Sequence, residues 1–238
     1  MDKNFIPRLF VVLLCGALLA SCQTAPSVSP GAVAPTATPL PALPVPGATR
    51  FVLDAGRSDV RFLAYRAGPL ASFGHNHVIQ AKQLAGDVYL AQDFRASGFS
   101  LSFPVAGFVV DAPEARAVEG PDFAKQPSAA DIAGTLEHML GPGTLDAARY
   151  PEIHVRSVQL LGPDWGPDAT VRIELRGVSR DLNVPITLAR DGDSLIVSGG
   201  FDLHQSDFGM QPFSFLGGAL QVADTLHVRF RLVATKAP

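Results

Sequence analysis

Apolar and polar residues alternate along the chain from residue 50 onward. The alternation is clearest at 171–176, 182–188 and 226–232, where large apolar side chains occupy every second position. Because successive side chains of a strand point to opposite faces, each run predicts a β-strand with one buried and one wet face. Looser runs of the same kind lie at 60–65, 74–80, 85–90, 98–108, 153–161 and 195–203.

One segment, residues 128–148, departs from this alternation. Its apolar residues recur at helical spacing before a Gly-Pro-Gly interruption at 141–143. These residues are Ile132, Leu136, Met139 and Leu140. We therefore predict an all-β domain of eight or nine antiparallel strands, either a sandwich or a closed barrel, with one short helical insertion.

The chain starts with the features of a bacterial export signal. Two basic residues precede an uncharged apolar run, residues 9–19, which is shorter than the about 20 residues that a spanning helix needs. Residues 19–22, Leu-Ala-Ser-Cys, are similar to the lipobox of bacterial lipoproteins. We expect residues 1–21 to be removed and Cys22 to carry a thioether lipid and an acyl group such as palmitate. An ordinary secretory signal or an uncleaved anchor is the alternative.

Residues 22–49 are rich in Pro and Ala and contain no charged residue. Such a stretch cannot bury a core, so it predicts an extended, polyproline-like tether. The remaining residues, 50–238, have the length of a single domain. Because Gln23 rather than an aspartate follows Cys22, similarity to Gram-negative sorting signals favours the outer membrane, facing the periplasm.

The composition removes several classes of function. The formal net charge is −3 and no basic block is present, which argues against a nucleic-acid partner. The only cysteines are Cys15 and Cys22, so the predicted domain contains no disulfide and no thiol, although we expect it in an oxidising compartment. Since the sequence also has no phosphate loop and no nucleophile elbow, we expect a binding protein rather than an enzyme.

Four groups of short motifs, taken in order, resemble the YceI-like family of exported bacterial proteins. They are Phe51-Val52-Leu53-Asp54 with Ser58-Asp59-Val60-Arg61-Phe62, then Tyr150-Pro151-Glu152-Ile153, Leu175-Arg176-Gly177-Val178-Ser179-Arg180 and Ser206-Asp207-Phe208-Gly209-Met210. The resemblance extends from Phe51 to Ala234. It implies an eight-stranded antiparallel, lipocalin-like barrel with a helix near one mouth. It also implies binding of a long apolar amphiphile, such as a polyisoprenoid, a quinone tail or a fatty amide, with no covalent cofactor beyond the N-terminal lipid.

His75, His77 and Asp207 are the candidate residues for the ligand headgroup. In the predicted strand at 74–80, the two histidines are i and i+2 residues and point to the same face. A His-x-His pair also supplies half of a Zn²⁺ or Cu²⁺ site, so a metal site of His75, His77 and His204 is an alternative. A third interpretation is structural, with the imidazoles bonded to the backbone and Asp207 capping a tight loop.

The candidate channel residues are apolar and have the parity of inward-facing positions. They are Phe62, Phe99, Leu101, Phe103, Ile173, Val184, Val197, Phe201, Val228 and Phe230. The interior of an eight-stranded barrel holds either its own side chains or one small ligand. Three functions therefore stay open: a lipid-anchored barrel that binds an apolar amphiphile, a His-ligated metalloprotein or metalloenzyme of the envelope, and a structural module with a filled barrel. The expected partners are the apolar ligand and, through Cys22, the membrane. Whether the protein forms a homodimer stays open.

Overall fold

The computed structural model describes residues 39–238. The predicted signal peptide at 1–21, the lipidation site Cys22 and the predicted tether up to residue 38 lie outside the described residues. In the part of the chain that is described, no helix has both the length and the apolar character needed to cross a membrane.

Twelve strands within residues 39–238 form one antiparallel sheet. In chain order they are β1 (Thr49–Leu53), β2 (Asp59–Ala67), β3 (His77–Ala81), β4 (Ala85–Leu90), β5 (Gly98–Pro104), β6 (Phe108–Val110), β7 (Glu152–Leu161), β8 (Asp168–Leu175), β9 (Val178–Asp191), β10 (Ser194–His204), β11 (Ser214–Phe215) and β12 (Leu220–Lys236). The runs predicted at 60–65, 85–90, 153–161 and 195–203 lie within β2, β4, β7 and β10. The strands at 182–188 and 226–232 lie within β9 and β12.

The sheet closes on itself into a barrel of eight strands. Pairing follows the order β1-β4-β5-β7-β8-β9-β10-β12, and β12 returns to β1 through the pair Phe51 and Lys236. At one end, β2 pairs with β12, β3 with β2, and β6 with β3. β1 and β2, β3 and β4, and β5 and β6 are therefore halves of three long, bent strands. The predicted eight-stranded antiparallel barrel is confirmed.

Alternation along the strands decides which side chains fill the barrel. In β8, Val171, Ile173 and Leu175 are buried, whereas Glu174 between them is exposed. The inward faces of the strands meet in one main hydrophobic cluster. Fully burying an aliphatic or aromatic side chain stabilises a fold by about 1.5–3 kcal/mol. The described domain therefore has a large apolar core to hold it together without disulfides.

The connection between β6 and β7 carries two α-helices, α1 (Pro113–Ala117) and α2 (Ala129–Leu140). α2 confirms the predicted helical insertion. It begins at a capping box, in which the Asp131 N–H donates to Ser128 Oγ at 3.2 Å, and it ends before Gly141. Its four predicted apolar residues pack against the barrel core. α1 was not predicted, because five residues starting at a proline carry no apolar period. Short 3-10 turns lie at Ala71–Phe73, Phe94–Ala96, Val105–Gly107, Pro121–Phe123 and Gln205–Phe208.

Three of the motifs quoted above meet at the α2 end of the barrel. Arg176 and Gly177, both with positive φ, form the two-residue turn between β8 and β9. A Cβ at Gly177 would lie 2.6 Å from the Tyr150 ring, so glycine is required there for space as well as for φ. The Arg176 guanidinium donates to the carbonyl of Gly209 and, at 2.7 Å, to that of Pro142. These contacts join the β8–β9 turn to the segment after α2 and to the loop after β10.

The last residues of the predicted tether contact the barrel. A Cβ at Gly98 would lie 2.9 Å from Leu43 Cδ2 and 3.5 Å from Val45 Cγ2. Arg156 of β7 donates to the Pro41 carbonyl at 3.1 Å. Residues 41–45 therefore pack against β5 and β7. The domain start at residue 50 stays a prediction.

Candidate ligand-binding cavity

An outer cavity of about 530 Å³ lies at the end of the barrel that α2 covers. This volume falls in the range of about 300–1,000 Å³ that is usual for small-molecule sites. Apolar residues of β2, β3, β12 and α2 form much of its wall, among them Ala64, Ile79, Leu226 and Met139. Polar residues also line it; they are Arg66, His75, His77, Asp131, Thr135, His138, Thr144, Gln205 and Gln221.

Exposed aromatic residues mark the opening of the outer cavity. Phe73 and Phe213 both line it, and 75% and 39% of their surfaces are accessible to solvent. Phe215, in the short strand that pairs with the start of β12, and Leu216 next to it are also exposed, and they follow Phe213 in sequence without lining the cavity. Contiguous exposed apolar groups commonly mark interaction sites. The opening therefore presents an apolar rim to the surroundings.

An inner cavity of about 170 Å³ lies deeper in the barrel, and its lining is almost entirely apolar. All ten residues named above as channel candidates line it, and Phe62 lines the outer cavity as well. Their contact with a ligand stays a prediction. The two cavities share a wall, which consists of Phe62, Ile153, Leu175 and Leu203. The barrel thus contains a wide, partly polar chamber that adjoins a narrow apolar one.

His75 and His77 both line the outer cavity, but the prediction that they share a strand is wrong. β3 begins at His77, and His75 lies in the loop before it. Their ring centroids are 6.3 Å apart. Asn76, between them, is buried. Its Oδ1 accepts a hydrogen bond from the Arg66 N–H and its Nδ2 donates one to the Asp122 carbonyl, both at 3.0 Å, and these two bonds hold the turn of the loop. The loop therefore brings the pair to the cavity without strand geometry.

A buried carboxylate orients His77. Its Nδ1 lies 2.6 Å from Asp111 Oδ2, and the Asp111 side chain has no exposed surface. Asp111 Oδ1 accepts from the Val78 N–H at 2.9 Å and from Arg116 at 2.5 Å. Burial by itself raises the pKa of Asp111, but the hydrogen bonds from His77, Val78 and Arg116 outweigh it, so the pKa lies below its usual 3.8. Asp111 is therefore ionised and accepts from Nδ1–H, which leaves Nε2 of His77 for a ligand.

Arg116 supplies the charge that balances Asp111. Its side chain is 4% exposed, and it also donates to the carbonyls of Asn76 at 2.7 Å and Lys125 at 2.6 Å. Its guanidinium carbon lies 5.8 Å from the centroid of the Phe123 ring. A buried ion pair needs such additional partners to offset its loss of hydration. The network therefore fastens the loop after β6 against the start of β3 and keeps His77 in place.

Thr144, Asp131 and His138 are further polar residues at the outer cavity that the sequence did not indicate. Thr144 Oγ1 is buried and has no hydrogen-bond partner within the described part of the chain. Buried hydroxyls usually have a partner, so this one is suited to a ligand. Asp131 and His138 come from α2. No motif surrounds any of these residues; only their position on the helical insertion, expected near one mouth, was a signal.

The structure does not bring Asp207 and His204 to the cavities. Asp207 is exposed in the turn after β10 and lines neither chamber; Gln205 of the same turn does. The prediction that Asp207 lies at the ligand headgroup is therefore withdrawn. Gly209 has φ +69°, as expected for a tight loop. His204 is exposed and lines neither chamber, and residues 39–238 contain no group of three His, Cys, Asp or Glu placed to hold a metal ion. The proposed three-histidine metal set is not assembled.

Two solved structures share this fold at low sequence identity. BcnA from Burkholderia cenocepacia is 18% identical, with a TM-score of 0.59, and the alignment covers 77% of this chain and 99% of BcnA. A polyisoprenoid binding domain from Saccharophagus degradans, implicated in plant cell wall breakdown, is 14% identical, with a TM-score of 0.55 and coverage of 80% and 99%. A search of curated proteins gave no match.

The sequence profile of the YceI-like domain matches residues 51–234. This span begins in β1 and ends in β12, so it includes the segments that form both chambers and the loop that holds Asp111 and Arg116. The match covers more than half of the chain and the whole interior of the barrel. The chain belongs to the YceI-like family.

Proposed function

We propose that this protein binds a long apolar amphiphile, such as a polyisoprenoid or a quinone tail, inside its barrel. The adjoining chambers carry the proposal: the inner one suits an apolar chain, and the outer one suits a polar end group. Each CH₂ group that leaves water contributes about 0.8 kcal/mol. Retention of a long chain therefore needs no further chemistry. The polyisoprenoid binding described for the S. degradans relative supports this choice of ligand.

His77 and Thr144 are proposed to hold the polar end of the ligand. Nε2 of His77 accepts a hydrogen bond from a hydroxyl when the ring is neutral and donates to a carbonyl when it is protonated. The buried Thr144 hydroxyl provides either a donor or an acceptor. His75 borders the same chamber. An uncharged headgroup with a carbonyl or hydroxyl, as in a quinone or quinol, fits these groups.

Binding without catalysis is part of the proposal. A nucleophilic triad requires a hydroxyl or thiol of the protein within hydrogen-bond reach of the free nitrogen of its His–Asp pair. In residues 39–238, His77 has Asp111 as its hydrogen-bond partner and no serine or threonine hydroxyl bonded to it. The pair therefore serves better to orient a ligand than to activate a nucleophile.

The proposed location is the periplasmic face of the outer membrane, with the barrel held by lipid on Cys22. The lipobox-like residues 19–22 and the Gln23 that follows support this location. Several acyl chains on one cysteine anchor a protein stably, whereas a single chain does not. Cys22→Ser is the corresponding variant, and it is expected to move the protein from the membrane fraction to the soluble fraction.

Native mass spectrometry of the exported protein, purified without detergent, tests the binding proposal. We expect a mass excess over the chain that organic extraction removes and whose fragments identify an amphiphile. His77→Ala is expected to lower the occupied fraction, because the polar end loses a partner. His154→Ala, on the exposed face of β7, is the matched control and should leave occupancy unchanged. Protein that always carries the bare chain mass would contradict the proposal, and an excess of one metal ion would favour the metal alternative.

A further inference from the structure

The barrel wall is unpaired along part of the contact between β9 and β10. The two strands pair from Ser194 with Asp191 as far as Gly199 with Ile186. Beyond that point, residues 178–185 of β9 pair with β8, and residues 200–204 of β10 pair with β12. Across residues 39–238, no ladder pair joins these two segments to each other. β9 and β10 are therefore hydrogen-bonded at the end of their contact near Asp191 and Ser194, and unpaired at the other end.

Pro185 explains where the pairing stops. The N–H groups of Ile186 and Leu188 point away from β10, to carbonyls of the loop before β8 at 3.0 and 3.1 Å. Because these directions alternate along a strand, positions 185 and 187 face β10. Thr187 pairs there with Ser198, but Pro185 has no N–H to donate. The ladder therefore ends at the position where its next donor is missing.

A groove of about 670 Å³ lies on the outside of the barrel at this opening. Outward-facing residues such as Asn183 and Asp202 line it, but so do Leu182 and Phe201, which pack against the barrel core. Phe201 and Val228 line both this groove and the inner cavity. Gly200, which also lines the groove, has no side chain that could cover Phe201. The outside of the barrel and the inner cavity are thus separated here by little more than the half-buried ring of Phe201 and its neighbours.

The route through the mouth is more obstructed at the level of the inner cavity. A chain arriving from the outer cavity must pass the shared wall, in which Ile153, Leu175 and Leu203 are each at most 5% exposed. Close-packed side chains yield only at an energetic cost. Only Phe62 of that wall is partly exposed. On the side route, the residues common to the groove and the inner cavity are the partly exposed Phe201 and one buried residue, Val228. A side passage therefore disturbs fewer packed residues than passage from the outer cavity.

We infer that the gap between β9 and β10 is a lateral portal through which the apolar chain of the ligand enters and leaves the inner cavity, past Phe201. The inference rests on the proposed function and adds the site at which the ligand crosses the wall. The unpaired segments are only a few residues long, so the portal suits a single flexible chain, such as an isoprenoid or acyl chain. It does not suit a fused ring system or a lipid that must enter with several chains together.

Linking the two sides of the gap tests the portal. Extending the register beyond Gly199 and Ile186 places Asn183 opposite Asp202. In the full chain with Cys15→Ser and Cys22→Ser, Asn183→Cys and Asp202→Cys would be the only thiols and can be joined with dibromobimane. The probe is cis-parinaric acid, a fluorescent C18 chain, and its uptake and release are followed by stopped-flow fluorescence. We expect joining to slow both rates at least tenfold relative to the unjoined variant.

Thr187→Cys with Ser198→Cys is the matched control, because it joins the same two strands where they already pair. Joining it should leave the rates unchanged. Pro185→Val restores the missing N–H, and we expect slower exchange with the same amount of probe bound at equilibrium. Unchanged exchange in the joined Asn183/Asp202 variant, or equal slowing in the control, overturns the portal but not ligand binding. No probe binding by the unjoined protein contradicts the proposed function itself, and the portal with it.

Discussion

Replacing Asp111 with alanine is expected to lower the free energy of unfolding by about 3–5 kcal/mol, the usual cost of removing one partner of a buried ion pair. Arg116 would keep its charge in a buried site, and the Val78 N–H and His77 would each lose an acceptor. This is a large part of the about 5–15 kcal/mol that holds a typical domain folded. Urea denaturation followed by circular dichroism measures the change.

Three further variants identify the cause of that loss. Asp207→Ala removes an exposed carboxylate and should change stability by less than about 0.5 kcal/mol. Asparagine in Asp111→Asn keeps the shape of the side chain and tolerates the φ of +55° at this position, so we expect a smaller loss of unfolding free energy. Adding Arg116→Met to Asp111→Ala should cost less than the sum of the single changes, because the two residues interact. Strict additivity, or a loss below about 1 kcal/mol in Asp111→Ala, would show that the ion pair contributes little.

The same carboxylate makes stability depend on acidity. Because the pKa of Asp111 is lower in the folded state than its usual 3.8, its contribution is fully present above that value. The contribution is lost as the pH falls through the lower folded pKa. The difference in unfolding free energy between the natural protein and Asp111→Ala should therefore hold from neutral pH down to about 3.8 and shrink as the pH falls further, through the folded pKa. A difference that stays constant at all these pH values would mean that folding does not lower the pKa of Asp111.

Val197→Phe is expected to remove most of the bound ligand without lowering the stability of the empty protein. Val197 is half-buried and lines the inner cavity, so the larger ring would occupy space that an apolar chain otherwise fills. Displacing three or four CH₂ groups, at about 0.8 kcal/mol each, weakens affinity by about 100-fold. The co-purified mass excess and equilibrium titration with cis-parinaric acid measure the effect.

Val109→Phe is the matched control for this change. Val109 lies on β6 and is 39% exposed, so the same substitution there adds a ring on a face that does not line either cavity. Ligand content should be unaltered. If Val197→Phe binds as much ligand as the natural protein, the inner cavity does not receive the chain. If it instead unfolds more easily, the cavity is too small to accept additional volume.

Much of the fold follows from local pattern. Period-two alternation predicted the strand at 85–90 with the bounds that β4 has, because one face of that strand is buried. The alternation does not distinguish a closed barrel from a sandwich, because both bury every second residue of a strand. The resemblance of the motifs to the YceI-like family favoured the barrel. The break of the run 98–108 at residues 105–107 depends on the bend of the barrel, which a single strand does not record.

The candidate site was predicted in its apolar part and in two of its polar residues, His75 and His77. All ten residues selected by inward parity line the inner cavity, because parity is a local property. The orientation of His77 depends on Asp111, which is 34 residues away, and on Arg116. Neither belongs to a repeating pattern, and their partnership exists only after the loop folds over β3. Asp207 was selected for its motif, but the same loop directs that side chain to solvent.

The gap between β9 and β10 also bears on self-association. A closed barrel has no free strand edge, and an opening in its wall creates two, which are templates for pairing with other chains. Here each edge is short, and the two face one another across the groove. Pro185 interrupts one edge and Asp202 places a charge on the other, features by which natural sheets discourage edge-to-edge pairing. The barrel thereby has a side opening with little tendency to aggregate through it.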